Sequence, residues 1–343
     1  MPKAVTLQDL ADRLGISVAT VSRALNDHPK VSATTRRRVA AAARTLRYQP
    51  NLVARALRND RTMLVGLVVP DVRSAFFAEA ATVLQSVLEE HGYRVILCIS
   101  HEDPNIERGY LLSLLELRVD GIVHVPCTAD GAAFIRDVDS SVPVVELYRH
   151  TGGSIFDAVA ADDRDGITQL MRHLIGLGHR RVAMIVGPES LTTSRERVAG
   201  FEEAAAELDQ PIVQYGEYSQ KWGYDSVRRL VSEPSRPTAI IAASNQLVSG
   251  ALRALIDSGL DVPSDMSVVG FDDPEWYSLC RPAITTYQPP LYQMGVVAAQ
   301  LLIRRMSAPA GSSDQHPSTL ARLLGKLVVR ESCSSAPAAT PAK

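Results

Sequence analysis

The sequence is poor in cysteine, and the four it has are scattered: Cys98, Cys127, Cys280 and Cys333 form no C-x-x-C pair. Neither a zinc site nor a disulfide framework is indicated, and isolated thiols in a reducing compartment are expected. No apolar run approaches the roughly 20 residues that span a bilayer, so no membrane partner is expected. The start, Met1 to Thr6, runs straight into a polar amphipathic pattern without an apolar signal region, which predicts a cytoplasmic chain. Catalytic signatures are missing too. There is no G-x-x-x-x-G-K-S/T loop, no G-x-G-x-x-G opening a helix and no G-x-S-x-G elbow. His101-Glu102-Asp103-Pro104 is not an H-E-x-x-H helix, and its proline argues for a loop. The 8 histidines show no ligand spacing, so neither metal nor cofactor is expected.

What is present is an uneven distribution of charge. Residues 1–62 hold 12 Lys/Arg against 4 Asp/Glu, a surplus of 8, and the remainder holds 24 against 34, a deficit of 10. Such asymmetry suggests that the first sixty or so residues meet a polyanion and the rest does not. A membrane-surface helix would pair one basic face with one bulky apolar face, and this segment does not. Nucleic acid is the favoured partner.

The same segment reads as three short helices. Thr6 is an N-cap with Asp9 as its reciprocal partner, and Leu7, Leu10, Ala11 and Leu14 follow at helical spacing. Gly15 can take the left-handed conformation usual just past a helix end. Ser17 caps a second helix, Val18 to Asn26, with Val21 and Leu25 inward, and Asp27-His28-Pro29-Lys30 breaks it. Ser32 opens a third through Val39, Ala42, Ala43 and Leu46. Two helices across a glycine turn, closed by a third, describe an all-α helix-turn-helix head over residues 1–49. Ser17, Val18, Ala19, Ser22 and Arg23 stand on the outer face of the second helix. Arg23 suits a bidentate contact with guanine O6 and N7, and Val18 and Ala19 suit a thymine methyl. The alternative is a generic three-helix protein-binding module with a solvated basic face.

Val5–Ala11, Gly15–Asn26, Val31-Ser32, Tyr48–Asn51 and Ala54–Arg58 together resemble the head of the lactose-repressor/galactose-repressor (LacI/GalR) family of transcription regulators. The resemblance implies DNA contacts from Thr6, Leu7, Ser17, Val18, Ala19, Thr20, Ser22, Arg23, Asn26, Ser32, Thr35 and Tyr48. It also implies a hinge helix within residues 50–62, with Asn51, Ala54, Arg55 and Leu57 at DNA and Leu57 wedged into the minor groove. The physics agrees: nine or so residues are too few for a stable isolated helix. A leucine on a polar helix suits an apolar wedge between base steps, or alternatively packs on the large domain.

From Met63 the pattern alternates short apolar strands with amphipathic helices. Strands are expected at Leu64–Val69, Val95–Ile99, Gly121–Val125, Val144–Leu147, Val182–Val186, Ala239–Ala242 and Ser267–Gly270. Helices are expected at Ala78–Glu90, Gly166–Leu177, Arg197–Leu208 and Val248–Ser258. This predicts an α/β core of two doubly wound parallel sheets, with a ligand cleft beyond the strands' carboxyl ends.

The core resembles the periplasmic-binding-protein-like domain of the same family. The clearest segments are Val182–Gly187, Arg195–Phe201, Pro237–Ile240, Val268–Asp273 and Leu327–Ser332. An effector-binding and dimerisation core over 63–332 is expected, with an N-lobe of 63–161 plus 288–332, a C-lobe of 162–287 and a disordered tail of 333–343. Carried over by position, effector contacts fall on Phe76, Phe77, Tyr148, Arg149, Arg197, Tyr218, Ser244 and Asp272. Charged side chains would bond hydroxyls, and aromatic faces would pack on sugar C–H faces. Tyr148 stands where the family usually has aspartate, Ser244-Asn245 replaces Asn-Asp, and Pro289-Pro290 replaces Gln-Pro. A sugar, a sugar phosphate or a weakened response all stay open.

The resemblance implies a repressor controlled allosterically by a small molecule, a sugar or sugar derivative. The expected assembly is a homodimer on a pseudo-palindromic operator, nucleoid-associated when bound. The Leu291–Met306 helix is a candidate for the dimer contact. The tail from Ser334 has no heptads for a tetramerising coiled coil. The rival class, a two-lobed α/β enzyme handling sugars or nucleotides, lacks its motifs.

Overall fold

The computed structural model describes residues 5–25, 28–46, 48, 61–128, 135, 142–151, 156–209, 211–308 and 317–337. The chain divides into two compact units, residues 1–62 and 63–343. In the first, α1 (Leu7–Leu14), α2 (Val18–Leu25) and α3 (Ala33–Thr45) enclose a small core of Leu10, Val21, Ala24 and Val39. The capping box forms as the sequence predicts. Asp9 N–H donates to Thr6 Oγ1 at 3.3 Å and Thr6 N–H to Asp9 Oδ2 at 2.7 Å. Gly15 ends α1 with φ of +64°, a value at which any side chain would be strained.

Among the described residues, the second unit contains two sheets of six strands each, built on the same winding. The N-lobe contains β1 (Leu64–Val69), α4 (Ala75–Glu90), β2 (Arg94–Ile99), α5 (Pro104–Glu116), β3 (Gly121–His124), β4 (Val144–Leu147) and β5 (Asp157–Ala161). The C-lobe follows with α6 (Asp163–Gly176), β6 (Val182–Val186), α7 (Thr192–Ala204), β7 (Ile212–Tyr215), α8 (Gln220–Ser232), β8 (Ala239–Ala242), α9 (Asn245–Asp257), β9 (Ser267–Phe271), α10 (Trp276–Leu279) and β10 (Thr285–Gln288). The chain then returns to the N-lobe as α11 (Leu291–Ser307) and β11 (Leu320–Leu323), and crosses once more to β12 (Lys326–Val328). The sheet orders are β11-β5-β4-β3-β1-β2 and β12-β10-β9-β8-β6-β7. Both faces of each sheet are covered by helices, as parallel sheets require. In the N-lobe, Leu67, Val123 and Val145 pack toward Leu84, Met294 and Leu302, while Val68, Ile122 and Val144 pack toward Leu111 and Leu114.

Three sequence expectations are corrected. Residues 326–332 do not belong to the N-lobe: β12 pairs antiparallel with β10, Tyr287 opposite Leu327, because Leu327 joins the C-lobe core. The start of the tail is ordered through Pro337, held by Ser334 N–H to Ser267 Oγ at 3.1 Å and Ala336 N–H to Leu177 O at 2.9 Å. Pro104 does not mark a loop but opens α5 behind the Asp103 cap, a position where its missing N–H costs nothing. The helix Leu291–Ser307 buries Met294, Ala298, Ala299 and Leu302 inside the N-lobe and leaves Tyr292 exposed on its other side. Among the described residues, no helix is long and apolar enough to cross a membrane.

Candidate nucleic-acid interface and ligand cleft

In the head, the N-terminal turn of α2 faces solvent. Ser17 is exposed, and its Oγ accepts the Thr20 N–H at 3.2 Å, which satisfies one of the free amides there. Ala19 and Arg23 are exposed and four residues apart, so they share a face; Thr20 and Ser22 are half-buried. Val18, expected fully outward, is half-buried against the small core. A core this small draws in each apolar side chain that borders it. Thr6 and Ser32 are exposed caps of α1 and α3, and Ser32 Oγ accepts the Thr35 N–H at 3.2 Å. Thr35 is half-buried, and Leu7 and Tyr48 pack on the core. Arg13, Lys30, Arg37, Arg38 and Arg44 add exposed positive charge. Asn26, Asn51, Ala54, Arg55 and Leu57 lie outside the described residues.

In the larger unit, a cavity of about 500 Å³ lies between the lobes at the carboxyl ends of the strands. All eight residues expected to contact the effector line it: Phe76, Phe77, Tyr148, Arg149, Arg197, Tyr218, Ser244 and Asp272. Phe76 and Phe77 also belong to the N-lobe core, so the plain core reading and the lining reading both hold. Ser244 caps α9, accepting the Leu247 N–H at 3.3 Å.

Arg197 is completely buried, while its neighbour Arg195 is exposed. Its Nε donates to Asp163 Oδ1 at 2.9 Å, and its two amino groups bond the Ala243 carbonyl and the Tyr148 hydroxyl. Burial pushes the Asp163 carboxyl up to about 6, against the opposing pull of Arg197. Arg149 forms a two-pronged pair with Glu102 at 2.7 and 2.8 Å, and Arg73 pairs with Asp71 at 2.9 Å. Each guanidinium at the cavity therefore already faces a carboxylate.

Asp272 differs from Asp71 and Glu102 in having no guanidinium within ion-pair distance. Its Oδ2 accepts from Asn245 Nδ2 at 3.2 Å, but its buried Oδ1 has no hydrogen-bond partner. Burial raises its pKa. A buried acceptor without a donor is costly, and a ligand hydroxyl would relieve it. Asp272 and Tyr148 also share a backbone peculiarity, with φ of +71° and +69°. Each costs about 1–3 kcal/mol, and such strain concentrates at ligand sites.

Residues 6–51 match the family of bacterial regulatory proteins described as the lacI family, and residues 171–333 match a periplasmic binding protein-like domain. Catabolite control protein A of Priestia megaterium is 30% identical over 308 residues, 88% of this chain and 93% of that protein. The chain belongs to the LacI family. The ribose operon repressor of Halalkalibacterium halodurans is 31% identical over 327 residues, with 95% and 96% covered. A crystal structure of the Lac repressor dimer bound to operator and an anti-inducer superposes with a TM-score of 0.85 at 29% identity, covering 97% of this chain and 100% of that one. The complex of the regulator CelR with cellobiose gives 0.71 at 30% identity, covering 96% and 99%. This LacI-family chain is thus a DNA-binding transcription regulator with a ligand-binding core, not an enzyme.

The sequence reading did not single out Asp71, Glu102 and Gln246, which line the cleft of this LacI-family protein, or Asp163, which holds Arg197 from behind. The Asp162-Asp163 pair was a visible signal, since Asp162 caps α6 and leaves Asp163 free to turn inward. Among the described residues, no group of three His, Cys, Asp or Glu could hold a metal ion.

Proposed function

We propose that this LacI-family regulator is a repressor that reads operator half-sites with the exposed start of α2 and is switched by an uncharged polyhydroxylated effector in the cleft. Ser17, Ala19 and Arg23 face base edges, with Arg23 on guanine. The capped helix starts at Thr6 and Ser32 approach phosphates. In the cleft, Asp272 Oδ1 accepts effector hydroxyls, while Phe76, Phe77 and Tyr218 pack on C–H faces. The observation that carries the effector class is the pairing of Arg73, Arg149 and Arg197 with Asp71, Glu102 and Asp163. Among the described residues, a phosphate would find no unneutralised guanidinium there. Cellobiose, bound by a relative in its solved structure, is of the favoured chemistry.

The working form is a homodimer on a pseudo-palindrome, since one head reads one half-site. Leu97 on β2, Tyr110 on α5 and Ile256 on α9 are exposed apolar side chains that a second copy covers. The test is selection of genomic fragments by the purified protein, followed by titration of sugars and sugar phosphates into the operator complex with fluorescence anisotropy. A shared palindrome, with affinity changed by a neutral sugar, is expected. A response to the phosphorylated sugar alone would reverse the effector class.

A further inference from the structure

Tyr148 directly follows β4 in the N-lobe, yet its hydroxyl accepts a hydrogen bond from Arg197 on α7 of the C-lobe. The side chain reaches across because its backbone turns back on itself. Tyr148 has φ of +69°, and the next residue, Arg149, donates its N–H to Leu147 O at 2.8 Å. That is the strained form of the three-residue turn, unusual for a bulky side chain. The ring is 7% exposed and lies 4.1 Å from the Phe76 ring, centroid to centroid. It thus fills the depth of the cleft and occupies a donor of the arginine that faces it.

We infer that Tyr148 is an internal ligand: its hydroxyl takes the place of an effector hydroxyl on Arg197, latches the lobes together without effector and confines effectors to the part of the cleft beside Asp272. The inference rests on the reading of this cavity as the effector site, but the latch itself is testable without effector. Other bonds also cross, from Gln246 to Asp71 at 3.5 Å, from Arg322 to Glu196 at 3.1 Å and from the His150 N–H to Thr192 Oγ1 at 3.2 Å. The first two involve partly or fully exposed groups, and the third belongs to the segment that Tyr148 anchors. A bond from a fully buried arginine is the one that water competes with least.

The test measures the lobe-to-lobe distance in the full chain without ligand. Spin labels are placed on p-acetylphenylalanine at exposed positions 90 and 233, which leaves the native cysteines untouched, and the sample is diluted with unlabelled protein. The native chain is expected to give one narrow distribution, and Tyr148→Phe a broader one shifted to longer distances. Tyr148→Gly, which suits the positive φ, opens likewise and serves if the phenylalanine variant folds poorly. Tyr218→Phe removes a hydroxyl near the same arginine within one lobe, and keeps the native distance. An unchanged distribution in both Tyr148 variants, or equal opening in Tyr218→Phe, overturns the latch. Failure of every sugar to alter operator binding would instead count against the effector reading and leave the distance result standing.

Discussion

The guanidinium carbon of Arg197 lies 3.8 Å from the centroid of the Phe271 ring, and the two residues come from different elements of the C-lobe, α7 and β9. A desolvated cation over an aromatic face contributes about 2 kcal/mol. The same cation is paired with buried Asp163, so its removal leaves an unpaired charge. Arg197→Met is therefore expected to destabilise the protein by about 3–5 kcal/mol, the usual cost of breaking a buried pair. Adding Asp163→Leu removes the orphaned charge and should recover most of the loss. Urea unfolding of the three proteins decides it; no recovery in the double variant would mean that the pair is not the source.

Gly325 marks the last crossing between lobes, where a Cβ would stand 2.3 Å from Gln288 O and 2.8 Å from the Tyr287 ring. Its N–H donates to Tyr287 Oη at 2.6 Å. Gly325→Ala must push backbone against backbone. A loss of about 1–3 kcal/mol is expected from such overpacking, read as a lower thermal unfolding midpoint.

Local signals were the legible ones. Thr6, Gly15 and Ser32 act within a few residues of themselves, so the head followed from spacing alone. Three helices of the core, α6, α7 and α9, began three to five residues earlier than their apolar periods, because their first turns carry polar groups. That is why Asp163 and Gln246 were missed. β5, Asp157–Ala161, was missed because its small residues have weak strand preference, although the sheet buries all five. Nothing local distinguishes β11 from β12. Only the packing of Leu327 against the C-lobe core decides on which side of the cleft it falls. The reach of Tyr148 to Arg197 depends on a positive φ that a tyrosine does not announce.

His179 ties the start of the tail to the C-lobe sheet. Its ring nitrogens lie 2.8 Å from Thr238 Oγ1 and 3.1 Å from both Ser267 Oγ and Ser334 O. Burial lowers its pKa from 6.5, so the fold prefers the neutral ring. The stabilisation is present above the unfolded value and is lost as pH falls through it. His179→Asn should be less stable than the native protein at about pH 7.5, and the gap should narrow at about pH 5.5. Urea midpoints at the two pH values test this, and a gap that widens in acid would contradict it.

Arg23 and Arg37 are both exposed cations of the head, on α2 and α3, but they stand in different settings. Arg23 shares a face with Ala19 near the capped start of α2, where a guanidinium fork can meet guanine O6 and N7. Arg37 lies in the second turn of α3, away from that face in sequence and suited to a phosphate. Arg23→Ala is expected to cost about 1–3 kcal/mol on the cognate site and to flatten discrimination at one base pair of each half-site. Arg37→Ala should weaken all sequences about equally and reduce the dependence of binding on salt by about one ion. Anisotropy titrations against single-base operator variants at several salt concentrations separate the two. Uniform weakening by both variants would move base reading off α2, and the phosphate role would then extend across the whole basic face.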